Sequence, residues 1–404
     1  MRRLHSLVFG VAILAMALGA QAQSGCPASG TELVLIGAGK GPGGPPTAGG
    51  GPSAPAAAAG DQPPQGIYTA CLDEKTGKLT LIGLQAKVAR ISWVTVDPKK
   101  AVIYTTGGAT TNMRDPGTIF SFKVDRTAGT VTPLGSALSG GTDPTNLAWD
   151  ARSGTLFVAN HGEGVVGILK TDADGGTRAL TDMAQQEGSG PSPRQKNAEA
   201  HGVAVDPTGR FVICTDFGAD KIYVYKFDGA TGKLSPSSPA FIATPAGSGP
   251  RHVTFTPDGK FVILDTEMNG QVRVYRWDEK AGTLGQPQIV DPYPADYNDP
   301  RSAAEIQISP DGRFFYLSLR GKENKMVVYK WDGSDGTMTE IQRVATGGTP
   351  WSFSIDATGK WLLVTNNDIG TVPVFSVDKS TGKLTPAGDP LKLPGAMTLG
   401  FLAR

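Results

Sequence analysis

The chain has 404 residues, of which 39% are hydrophobic and 19% charged, and its formal net charge is +1. That near-neutral balance, with no basic stripe or run of Lys and Arg, argues against a nucleic-acid partner. The 54 Gly and 30 Pro suit many short strands joined by turns.

At the N-terminus, Arg2 and Arg3 precede the apolar stretch LVFGVAILAMALGA (7–20) and the small-residue site Ala20-Gln21-Ala22. This pattern is a targeting signal, with cleavage expected after Ala22. Removing it takes the net charge from +1 to −1. No other run approaches the roughly 18 apolar residues of a membrane span, so the mature chain is expected to be exported, periplasmic or secreted. Acylation of Cys26 is the weaker reading, because Gln23 sits where a lipobox has Leu or another aliphatic residue.

Cys26, Cys71 and Cys214 allow at most one intrachain disulfide. Spacing does not choose the pair. Cys26 with Cys71 is one option, since both belong to the N-terminal part of the blade that closes the fold, and three separate small hydrophobes are the other. With His161, His201 and His252 these thiols show no zinc-type spacing, and no metal or cofactor is expected.

Residues 38–65 are dominated by Gly, Pro and Ala and by composition read as a linker. The flanking runs TELVLIG (31–37) and GIYTACLD (66–73) read instead as consecutive strands of one sheet. The segment is therefore expected to be a disordered insertion in a hairpin loop.

From residue 92 to residue 390 a unit of about 50 residues recurs six times, and such a period marks a β-propeller. The copies begin near Ser92, Thr145, His201, Arg251, Ala304 and Trp351. The third is HGVAVDPTGRFVICTDFGADKIYVYKFDGATGKLSPS and the fourth RHVTFTPDGKFVILDTEMNGQVRVYRWDEKAGTLGQP, aligned without a gap. Each holds four β-rich runs, one blade. A seventh blade comes from AMTLGFL (396–402) together with TELVLIG, GIYTACLD and KLTLIG (78–83), so strands from both termini close the ring. The expectation is an all-β, seven-bladed propeller of about 28 strands, one domain over residues 23–404.

Repeat phase locates the candidate chemistry. His201 lies six residues before Pro207 and Arg251 six before Pro257; Glu267 lies eight after Gly259 and Arg320 eight after Gly312. The starts of first strands and the ends of second strands share one face, so all four residues converge at the channel mouth. A His, a carboxylate and two guanidiniums at a concave mouth suit binding an anionic substrate and moving a proton. His252 and Glu305 are one residue out of phase and are expected to point between blades as structural residues. His161, at a strand end after Asn160, is left outside the site.

The segments HGVAVDPTGRFVICTDFGADKIYVYKFD, GSGPRHVTFTPDGKFVILDTE, AAEIQISPDGRFFYLSLRG and FSIDATGKWLLVTNN resemble the propeller lactonase family that contains bacterial 6-phosphogluconolactonase and the fungal 3-carboxy-cis,cis-muconate lactonizing enzyme. The likeness covers about residues 31–404 apart from the 38–65 insertion. The family's His, Arg, Glu and Arg fall by motif on His201, Arg251, Glu267 and Arg320. Glu199 stands where members often have a His, Thr266 and Leu319 replace common Asn residues, and Trp351 replaces an Arg. These changes make the mouth less cationic than a phosphosugar site.

The resemblance implies lactone hydrolysis without metal, or the reverse cyclisation. In it, His201 and Glu267 form the proton-transfer pair in either order, while Arg251 and Arg320 hold the substrate's anionic group and the oxyanion. The expected partner is a small-molecule lactone, with no nucleic acid, no membrane span and a monomeric chain. A non-catalytic secreted binding propeller keeps the fold without the chemistry. A calcium-dependent lactonase would draw on Asn146, Asn160, Asn366, Asn367 and Asp368.

Overall fold

A computed structural model describes residues 25–27, 29–39 and 63–402. The signal segment 1–22 and residues 40–62 of the expected loop lie outside the described residues. Among the described residues there are 31 strands and no helix, arranged as seven antiparallel sheets that pack in a ring.

Each blade begins with the pattern seen in the third, where Ala200–Val205 is followed by Phe211–Asp216, Lys221–Asp228 and Lys233–Ala243. Asp206 makes the first reversal. Its Oδ1 accepts from the backbone N–H of Arg210 and of Phe211, both at 2.8 Å, and its Oδ2 accepts from Thr208 N–H at 3.1 Å. Gly209 occupies the left-handed region at φ +73°, where a Cβ would be strained.

The second strand of every blade is apolar at successive positions because both its faces are covered. Phe211 and Ile213 pack toward the fourth blade, while Val212 and Cys214 pack toward the second. Seven apolar clusters result, one at each interface around the ring. Each fully buried aliphatic or aromatic side chain there is worth about 1.5–3 kcal/mol against exposure.

Closure follows the expected pairing. Ala396–Leu402 lies antiparallel to Thr31–Ala38, with Leu33 opposite Leu402, and Gly66–Asp73 and Leu79–Lys87 complete that blade. Cys26 and Cys71 are disulfide-bonded with Cα atoms 5.5 Å apart, and Cys214 is a buried free thiol. The strand count exceeds about 28 because outer strands are interrupted. Pro373 separates Thr371–Val372 from Val374–Val377, and Pro287 falls between Thr283–Leu284 and Gln288–Val290. Proline has no N–H to give the ladder, which suits it to these breaks.

Candidate active site

Two recurring backbone devices place side chains at one end of the channel. The first is a bulge at the start of the innermost strand, visible as a register shift between Ala200 and Gly202, between Pro250 and Val253, and between Pro350 and Ser352. One extra residue at this point re-aims its side chain out of the alternating pattern. The second is a latch after the second strand. His161 N–H donates to Asp143 O at 2.9 Å, Phe217 N–H to Glu199 O at 2.8 Å, Glu267 N–H to Gly249 O at 2.7 Å and Arg320 N–H to Ser302 O at 2.8 Å.

These positions surround a cavity of about 340 Å³. His201, Arg251, Glu267 and Arg320 all line it, and so do Arg194 and Glu199. Trp93, Phe217, Trp351 and Met397 supply apolar surface. Its size and its mixture of apolar walls with a few polar groups suit a small ligand.

On the wall formed by the fourth and fifth blades, Glu267 is held by three guanidiniums. Arg251 Nε lies 3.1 Å and Arg320 Nη2 2.8 Å from its Oε2, and Arg194 Nη2 lies 2.6 Å from its Oε1. Burial pushes the Glu267 carboxyl up, but Arg320, Arg251 and Arg194 together outweigh it and hold it well below the usual carboxylate range. Arg251 also donates through Nη1 to Ala304 O, and Arg320 donates through Nε to Ser302 Oγ at 3.1 Å and through Nη2 to Ala303 O at 3.2 Å. Both guanidiniums lie beside the Trp351 ring, Arg320 at 5.1 Å and Arg251 at 6.0 Å from its centroid.

Histidines from the second, third and fourth blades line the adjoining wall. His161, His201 and His252 stand edge to face in a row, with centroids 5.4 Å and 5.3 Å apart. Burial, then the nearby Arg251, keeps His201 neutral by lowering its pKa well below the usual 6.5. Its Nδ1 is buried without a hydrogen-bond partner among the described residues. His161 lies 3.8 Å from Asp143 and from Glu199, and burial lowers its pKa too. Burial, reinforced by Asp216, raises the Glu199 carboxyl to about 7.

One expectation fails at the fourth-blade bulge. His252 does not point between blades, for the bulge sets both Arg251 and His252 opposite the single residue Asp265, and His252 lines the cavity with its ring 5.2 Å from Trp93. Glu305, at the matching bulge of the fifth blade, is not among the cavity residues and bridges the neighbouring blades, 3.2 Å from His252 Nδ1 and 3.3 Å from Ser352 Oγ. Burial raises its carboxyl to about 8. Strict alternation fails at His252 because the inserted residue breaks the period.

His161 also belongs to the cavity. It occupies the latch position of the second blade, eleven residues after Asp150, as Glu267 follows Thr256 and Arg320 follows Ser309. Counting from the turn glycine hid this, since Gly154 is displaced by one in that turn. Arg194 was missed altogether, because it comes from the loop between the second and third blades and carries no repeat phase.

The residues considered for calcium are engaged elsewhere. Asn146 Oδ1 accepts from Val203 N–H, and the Asn160 amide donates to Ser139 O and Val165 O. The Asn366 amide donates to Thr346 O, the Asn367 amide lies 2.8 Å from Met397 Sδ, and Asp368 Oδ1 accepts from Thr349 N–H. Among the described residues no group of three or more His, Cys, Asp or Glu is placed to hold a metal ion.

Residues 56–401 match the model of a protein family described as lactonase, 7-bladed beta-propeller. The chain is similar to the 6-phosphogluconolactonase of Bacillus subtilis, 28% identical over 339 residues, which span 84% of this chain and 95% of that protein. It is 31% identical over 329 residues to the 6-phosphogluconolactonase of Pectobacterium carotovorum, covering 81% and 92% of the two chains. Among solved structures, the periplasmic gluconolactonase of Pseudomonas aeruginosa matches with a TM-score of 0.79 and 28% identity, over 92% of this chain and 99% of that one.

Proposed function

The chain belongs to the seven-bladed β-propeller lactonase family, and we propose that it hydrolyses a small anionic or sugar-derived lactone in the cell envelope, without a metal ion. One observation carries the reading: a neutral histidine and two guanidiniums that share one ionised carboxylate face the same small cavity. Its similarity to a 6-phosphogluconolactonase and to a periplasmic gluconolactonase supports the substrate class. The Cys26–Cys71 disulfide supports an oxidising compartment.

In this mechanism His201 takes a proton from water as the water oxygen attacks the lactone carbonyl. The oxyanion that forms is held by Arg251 and Arg320 in a partly desolvated site, where such contacts are strong. The described bonds use Nε and one terminal nitrogen of each guanidinium, so the remaining terminal nitrogen of each is the donor for substrate oxygen. Glu267 stays ionised and fixes the two guanidiniums. This reading departs from the proton-transfer pair that the resemblance implies, taking His201 as base and Glu267 as a positioning residue.

The test is a panel of lactones assayed by acid release with purified protein, with and without EDTA. Turnover of at least one sugar-derived lactone, unchanged by EDTA, is expected. Loss on chelation would reject metal independence, and a folded protein that opened no lactone would reject the hydrolase reading.

A further inference from the structure

Opening a lactone leaves an alkoxide on the ring oxygen, which departs far more readily once protonated. On the reading above Glu267 cannot supply that proton, since it is ionised between three guanidiniums. Glu199 can. Its main chain is fastened on both sides, for its N–H donates to Asp216 Oδ1 at 2.8 Å and its carbonyl accepts from Phe217 N–H at 2.8 Å. Its side chain lines the cavity, two residues before His201, and Oε2 is buried with no hydrogen-bond partner among the described residues. The His161 Nε2 lies 3.8 Å from that oxygen.

We propose that Glu199 is the general acid of this site, donating its proton to the ring oxygen as the lactone C–O bond breaks. The assignment rests on the lactonase reading. Water's oxygen bonds to the carbonyl carbon while His201 takes the proton, and the carbonyl π pair becomes the oxyanion's lone pair. When the π bond re-forms, the electron pair of the ring C–O bond goes to the ring oxygen, which accepts the Glu199 proton. The product is a hydroxy acid, and the proton held by His201 passes through solvent to restore Glu199.

The surroundings favour a carboxylic acid in place of a carboxylate. Burial and the facing carboxylates of Asp216, Glu267 and Asp143 raise Glu199, while Arg194 opposes them, and the result is a pKa of about 7. His161, the other titratable group against it, is itself held neutral. A general acid of this strength is protonated near neutral pH and ceases to act as pH rises through about 7.

Two lactones of different leaving group decide the matter, δ-gluconolactone with an alkoxide and dihydrocoumarin with a phenolate that needs no acid. Glu199→Gln should lose roughly 10²–10⁴-fold in kcat/KM on the first and only a few-fold on the second. It should also abolish the alkaline limb near pH 7 on δ-gluconolactone, and Glu199→Asp should recover part of the rate. Equal losses on both substrates would mean a structural role and overturn the proposal, as would no loss on either. If the wild type opens neither lactone nor any other, the lactonase reading itself falls, an outcome distinct from a wild type that is active and insensitive to Glu199→Gln.

Discussion

The two walls of the cavity use the same repeat positions for opposite electrostatic ends. Bulge and latch positions of the fourth and fifth blades hold Arg251, Glu267 and Arg320, two guanidiniums fixed by one shared carboxylate. The equivalent positions of the second and third hold His161 and His201, with Glu199 beside them, all kept near neutrality by burial. The scaffold thus supplies addresses, and the side chain at each address decides whether charge is stored or protons move. A wall of fixed charge stabilises a developing oxyanion; a wall of neutral titratable groups exchanges protons.

The sharpest way to break the comparison is on the histidine side. His201→Ala should lower kcat by roughly 10²–10⁴-fold with the circular dichroism spectrum retained. Its pH signature has a definite sign. A histidine base acts when deprotonated, and because burial and Arg251 depress His201, the acid limb of wild-type kcat/KM should fall below pH 6.5. A limb above 6.5 would show that the base is not held neutral.

Arginine variants should differ in kind. Arg320→Ala should cost roughly 10²–10³-fold in kcat, the loss of one oxyanion donor, and should raise KM most for anionic lactones. Steady-state kinetics on charged and neutral lactones would check this, and a purely KM effect would leave Arg320 with binding alone. The smallest effect on rate is expected far from both walls. Cys26→Ala with Cys71→Ala should leave kcat unchanged while lowering stability by roughly 2–4 kcal/mol in denaturant unfolding. A fall in kcat there would tie the closing blade to the site.

Repeat phase was enough to read the ring and its closing blade, because every blade must bury both faces of its second strand against neighbours. The sequence run FVICTD already shows this, with no polar residue among its first four. The disulfide was open, since spacing says nothing of which cysteines share a blade face. At the site, His201, Arg251, Glu267 and Arg320 were legible because they obey the period. His252 was misplaced because a bulge shifts alternation by one residue and leaves no compositional mark. His161 was recoverable by counting from the turn's first residue in place of its glycine. Arg194 was not, as it lies on an irregular loop, and only the folded ring brings it to Glu267.

On the proposed mechanism Glu267 joins the two guanidiniums without itself moving a proton. Replacing it leaves Arg251 and Arg320 buried without their common counter-charge. The direct measurement is kcat/KM of Glu267→Gln, Arg320→Ala and the double variant on one lactone, with circular dichroism confirming the fold. Each single change is expected to cost roughly 10²-fold or more and the double variant to be little worse than either, because both act through the same oxyanion contact. Full activity in Glu267→Gln, or losses that simply multiply in the double variant, would contradict that mechanism.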